Sequence, residues 1–163
     1  MAVEKFLASQ MAENLGFTPT EGQRELFDKN SSKMLSVCRS YVSDFHHAED
    51  CMLKGFVKVF KNIDRFKSEG SFEGWIRRIM VNECISFLRV DKKIKFIEDE
   101  NFTHDSVNNI ESKLSVDDIQ FLIDSLPDGY KMVFNLYCIE GYKHQEIAQL
   151  LGISEGTSKS QLS

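Results

Sequence analysis

The sequence predicts an all-α protein of two small helical domains joined by a flexible linker, and three observations carry that expectation. Only two prolines and nine glycines interrupt 163 residues, so few positions break a helix. Apolar residues recur at three- and four-residue spacing through most segments, and the alternation of a half-buried strand is absent. Charge is also uneven. The net value of −5 hides a basic middle, since residues 54–95 carry 11 basic and 5 acidic side chains, whereas residues 96–128 carry 1 and 9. A basic, aromatic-rich segment beside an acidic stretch suits a nucleic-acid-facing domain followed by a solvated connection.

The elements follow in order. A short amphipathic helix is predicted over 2–16. Thr18-Pro19-Thr20-Glu21 is a turn and cap signal that opens a helix over about 21–43, with Leu26, Phe27, Met34, Leu35, Val37, Cys38, Tyr41 and Val42 at helical spacing. Ala48 to Ile63 gives the next helix, with Met52, Leu53, Phe56, Val57, Val59, Phe60 and Ile63 as its apolar positions. A polar loop, Arg65 to Ser71, separates it from a helix over about 72–90 whose buried stripe is Ile76, Ile79, Met80, Cys84 and Leu88. Residues 91–114, rich in charge, Asn and Ser, read as linker. Helix resumes from Val116 to about Ser125, restarts after Pro127 and runs to about Ile139. The domain division is therefore 1–90, with an extension over 1–20, then the linker 91–114, then 115–163.

From Glu140 to Thr157 the chain reads as helix, tight turn and second helix. Ala148 is small where two helices would approach, Ile147, Leu151 and Ile153 form an apolar joint, Gly152 suits a left-handed helix end, and Ser154 suits a cap. Together these residues describe a helix-turn-helix, which sets its second helix in the DNA major groove. The chain stops at Ser163, so that second helix reads as cut short.

Enzymatic and metal chemistry find little support in the sequence. His144-Gln145-Glu146 lacks the Pro-Cys-x-x-Cys partner of a zinc deaminase. His46-His47 read as surface cover, and neither a phosphate loop nor a nucleophile elbow occurs. Cys38, Cys51, Cys84 and Cys138 are widely separated and read as reduced packing residues of a cytoplasmic protein. No run approaches a membrane span, and Glu4 and Glu13 interrupt the first twenty residues, so neither membrane insertion nor a signal peptide is expected.

Ala48-Glu49-Asp50 with Gly55-Phe56, Phe60 to Phe66, and Gly70-Ser-Phe-Glu-Gly-Trp-Ile-Arg-Arg-Ile-Met-Val-Asn82 resemble region two of a bacterial sigma factor. Leu126 to Phe134, continuing through Gly156-Thr157, resembles region four. The two-region layout is similar to the extracytoplasmic-function group of the sigma-seventy family. That resemblance implies a non-enzymatic factor without cofactors that binds core RNA polymerase, directs it to promoter DNA, answers to an anti-sigma factor and is monomeric when free. The alternative reading is a polymerase- or anti-sigma-binding decoy without full promoter recognition.

The resemblance also implies sites. Glu49 and Asp50 would meet polymerase, with Leu53 and Lys54 on the same docking face, although the family usually has Gln and an acidic residue at those two positions. Phe56 and Phe60 would anchor the domain's own core. The loop Lys67, Ser68, Glu69, Gly70, Ser71 and the helix residues Arg77, Arg78 and Asn82 would open and read the downstream promoter element, because strand opening needs a base pocket, close backbone approach and cations for phosphate. Trp75 reads as core. Thr157, Ser158, Lys159, Ser160 and Gln161 would face the groove at the upstream element, where Lys and Gln suit base edges and hydroxyls suit phosphates. Ser158 stands where the family commonly has a branched apolar residue.

Overall fold

In the computed structural model, residues 15–90 and 116–163 are described, with side chains in the second stretch from 121 onward. The helix expected over 2–16 falls almost wholly outside them, as does the linker 91–114. The chain divides into two compact units, Met1–Asp91 and Lys92–Ser163, and the described residues are helices and turns.

The first unit holds α1 (Glu21–Tyr41), α2 (Phe45–Asn62), a 3-10 turn (Ile63–Arg65) and α3 (Phe72–Val90). The start of α1 is fixed by a reciprocal cap, in which the Thr20 N–H donates to Gln23 Oε1 at 2.9 Å and the Gln23 N–H donates to Thr20 Oγ1 at 3.4 Å. Such a box satisfies two of the donors that a helix start leaves open. The sequence expectation for α2 was a start at Ala48; the helix begins at Phe45 because Asp44 caps it, accepting from the His47 N–H at 2.9 Å.

All three helices bury one stripe. Phe27 and Met34 of α1, Met52, Leu53, Phe56 and Val59 of α2, and Ile76, Met80 and Ile85 of α3 are buried, each contributing about 1.5–3 kcal/mol relative to exposure. The Phe27 and Phe56 rings meet edge-on at 4.7 Å. Helix α2 approaches α3 closely at Gly55, where a Cβ would lie 2.3 Å from Met80 Sδ. Ion pairs Lys33–Glu73 and Lys58–Glu83 tie α1 and α2 to α3. Cys38, Cys51 and Cys84, one from each helix, are buried as reduced thiols. Hydrogen bonding with its two sulfur neighbours, together with burial, pushes the Cys84 thiol up, which keeps it unreactive.

The second unit contains α4 (Val116–Ser125), α5 (Asp128–Phe134), a wide π turn (Asn135–Ile139), α6 (His144–Leu151) and α7 (Glu155–Ser160). The α-helix expected to reach about Ile139 ends at Phe134. Beyond it the Glu140 N–H donates to the Asn135 carbonyl at 3.0 Å, and the Tyr142 N–H closes on Leu136 at 2.9 Å past Gly141, φ +74°. One extra residue in the turn rotates the following side chains. Asn135 and Leu136 go inward, while Tyr137, Cys138 and Ile139 face out. Cys138 is therefore exposed, contrary to the packing role expected for it. Met132, Val133, Leu136, Ile147 and Leu151 form the core, and the buried Lys131 ammonium pairs with Asp124 of α4 at 2.5 Å.

The joint between α6 and α7 follows the sequence expectation. Gly152 is left-handed at φ +69°, the Ile153 N–H returns to the Ala148 carbonyl at 3.1 Å, and Ser154 Oγ accepts from the Thr157 N–H at 2.9 Å. Together they end one helix and begin the next within three residues, which fixes the turn.

Candidate nucleic-acid interface

In the first unit the candidate surface lies around the start of α3. Lys67 to Ser71 are all exposed, and the backbone turns through left-handed conformations at Ser68 (φ +56°) and Gly70 (φ +93°). Such a conformation is uncommon for serine, and strain of this kind gathers at functional loops. Ser71 Oγ accepts from the Gly74 N–H at 3.3 Å, so this hydroxyl also caps α3. Beneath the loop, the Phe66 ring lies 5.1 Å from Phe72 and 5.5 Å from Trp75, and Phe72 stacks on Trp75 at 5.7 Å.

Beside this aromatic group is a cleft of about 350 Å³. Lys58, Asn62 and Arg65 line it from α2 and the 3-10 turn, and Trp75, Ile79, Asn82 and Glu83 from α3. Trp75 and Ile79, expected in the core, are only half-buried. Each packs one side inward and presents the other to the cleft, because they fall at the margin of the Ile76–Met80–Cys84 stripe. Arg78 and Asn82 are exposed and Arg77 is half-buried, and Asn82 joins the cleft wall while Arg78 precedes it by one helical turn. Lys58, Asn62 and Arg65 were missed in the sequence, although their spacing of four and three places them along one helix face.

Nearer the start of α2, Asp50 and Lys54 are exposed and continue the four-residue spacing of Lys58 and Asn62, and Glu49 is half-buried. Leu53, expected among them, is only 1% exposed. Its spacing of three and seven to Phe56 and Phe60 puts it on the apolar stripe, so it is a core residue.

In the second unit, α7 divides its residues differently from the expectation. Ser158 is 0% exposed and Gln161 5%, so both point into the α6–α7 joint and not outward. Ser158 Oγ lies 3.0 Å from His144 Nδ1, and the His144 ring stacks on Tyr137 at 4.5 Å. Thr157 is half-buried with its hydroxyl 2.8 Å from Ser154 Oγ. Outward lie Glu155, Gly156, Lys159 and Ser160. Lys159 pairs with Glu155 at 2.7 Å, and its hydrogen bond and charge hold that carboxyl below the ordinary range. Glu155 and Gly156 were absent from the expected reading set, which took consecutive residues where the helix turn selects a face.

Among the described residues no group of three His, Cys, Asp or Glu could hold a metal ion, and no helix is long and apolar enough to cross a membrane. His47 Nδ1 lies 3.3 Å from Asp44, an arrangement that belongs to the α2 cap.

These two surfaces coincide with two family matches. Residues 26–94 match sigma-70 region 2, and residues 117–163 match sigma-70 region 4. The chain belongs to the sigma-70 family, and its relatives are of the ECF type. It is 28% identical to the ECF RNA polymerase sigma factor SigE of Mycolicibacterium smegmatis, across 85% of this chain and 56% of that protein. With the RNA polymerase sigma factor SigV of Bacillus subtilis it shares 29% identity, covering 76% of this chain and 74% of the relative. With the ECF sigma factor SigW of the same organism identity is 27%, over 85% and 81%. A sigma factor RpoE from Bartonella quintana, solved in complex with the anti-sigma factor NepR, shares the fold at a TM-score of 0.50 and 18% identity, over 88% of this chain and 91% of that one.

Proposed function

We infer that this chain is an ECF sigma factor that joins core RNA polymerase and directs it to promoters, catalysing nothing itself and drawing the free energy of strand opening from binding. The observation that carries the reading is the cleft beside the strained loop. Its indole and amide walls suit an unstacked base, and Arg65 at its edge suits a phosphate, Lys58 being paired with Glu83. The cleft lies on the segment that matches region 2. In this account Lys67, Ser68, Glu69, Gly70 and Ser71 approach the opened strand, Arg77 and Arg78 hold phosphate, and Asn82 bonds the base edge. Glu49, Asp50 and Lys54 are the polymerase contacts on α2. Thr157, Lys159 and Ser160 meet the upstream element, with Glu155 and Gly156 beside them. The protein acts in the cytoplasm, is monomeric when free, and has an anti-sigma factor as its restraining partner.

The test is the double variant Arg78→Ala with Asn82→Ala in reconstituted holoenzyme. Both side chains stand off the apolar stripe, so truncation there should leave stability within about 0.5 kcal/mol. Promoter opening is expected to fall while affinity for core polymerase is unchanged. Loss of polymerase binding or of the fold would show that these residues are structural. Polymerase binding by the unaltered chain without any promoter-directed initiation would favour the decoy reading.

A further inference from the structure

Ser158 presents a hydroxyl to a joint whose other buried members include Ile147 and Leu151. A polar group removed from water must be paired, or the fold loses the hydrogen bond it had with solvent. Here the partner is the His144 imidazole, at 3.0 Å from the first turn of α6. The imidazole is itself held, because its ring stacks on Tyr137 at 4.5 Å and 20°. Tyr137 is delivered to that place by the π turn, which swings residues 137–139 off the path an α-helix would have given them.

We propose that His144 is a positioning residue for promoter reading, a polar pin that sets the rotation of α7 through Ser158 and is oriented by Tyr137. The inference rests on α7 being the base-reading helix. A six-residue helix has little intrinsic stability and takes its orientation from packing. An apolar contact in the joint would tolerate sliding and rotation, whereas a hydrogen bond is directional. Each residue advances the helix by about 100°, so a modest rotation would carry Lys159 and Ser160 off the outward face. The joint thus trades a tolerant contact for one that specifies an angle. Either tautomer of the imidazole keeps the bond, since Nδ1 accepts from the hydroxyl in one and donates to it in the other.

The experiment uses the full chain in holoenzyme, with a promoter selected from a library randomised at the upstream element. The readouts are the affinity ratio of selected to scrambled upstream element, affinity for core polymerase, and amide exchange of α7 in the free chain. His144→Phe keeps an aromatic face for Tyr137 and orphans the Ser158 hydroxyl. It is expected to lower the ratio about fivefold and speed α7 exchange, a loss of the size one unmet buried hydroxyl produces. His144→Phe with Ser158→Ala removes both polar groups and is expected to restore exchange, because no hydroxyl is left unmet, while the ratio stays low, because the directional contact is still missing. His144→Asn, which places an acceptor near the Nδ1 position, is expected to keep most of both. Core affinity should not move in any variant. A ratio and exchange unchanged in His144→Phe, or a double variant that recovers the ratio without the hydrogen bond, would overturn the pin. An unaltered chain that makes no distinction between selected and scrambled elements would overturn the reading of α7 itself, with the exchange data still reporting whether the pin exists.

Discussion

At Gly55 the absence of a side chain lets Met80 of α3 lie against α2. The Met80 sulfur occupies the place a Cβ would take, and a well-filled core resists added volume. The colliding atoms are the flexible end of Met80, and alanine favours a helix over glycine by about 0.5–1 kcal/mol. Gly55→Ala is therefore expected to destabilise the first unit by no more than about 1 kcal/mol, read by urea denaturation, and Met80→Leu in the same chain should change that cost because it alters the colliding atom. Glu155 offers a test of a different kind. Lys159 holds its carboxyl below the ordinary 4.5, so the stabilisation of the pair is complete above the unfolded value and disappears as pH falls through the lowered folded one. A carboxyl-detected NMR titration is expected to give Glu155 a midpoint below that of an unpaired glutamate, and Lys159→Ala should return it upward. An unmoved midpoint would mean the pair does not persist in solution.

Among the elements, α4 is held to α5 by charge as well as by packing. Lys131 is buried and its partner Asp124 is half-exposed, so the two deletions are unequal. Asp124→Asn strands an ammonium in the interior, whereas Lys131→Met leaves a carboxylate that water can solvate and fills the space with apolar atoms. Asp124→Asn is therefore expected to be the more destabilising by roughly 1–3 kcal/mol, measured by chemical denaturation of the full chain, and equal effects would show that the pair contributes little. Periodicity and caps made most elements legible beforehand: Thr20, Pro127, Gly152 and Ser154 each lie at the boundary their chemistry implies. The π turn was not legible, because Asn135 to Ile139 has ordinary helical composition and the widening comes from tertiary packing. Site residues were harder still. Consecutive positions such as Thr157 to Gln161 look alike in a sequence, and only the helix angle separates Lys159 and Ser160, which face water, from Ser158 and Gln161, which do not. Leu53 shows the converse, since its apolar spacing to Phe56 and Phe60 buries it at a position where the family resemblance implies a docking contact.

Two compact units divide the molecule near residue 91, and the charge of the chain divides close by, basic through residue 95 and acidic after it. Limited trypsin digestion is expected to leave two resistant fragments corresponding to the two units, and uniform resistance along the chain would contradict their independence. The basic segment contains the cleft, so both its electrostatics and its shape favour a nucleic-acid strand. On this reading the chain makes core polymerase open promoter DNA. That reading is tested most directly by permanganate footprinting of thymines on a promoter selected by the reconstituted holoenzyme. Reactive thymines are expected downstream with the unaltered chain, and their loss with Arg78→Ala and Asn82→Ala at unchanged polymerase occupancy. Full reactivity in that variant, or none with the unaltered chain bound to polymerase, would contradict it.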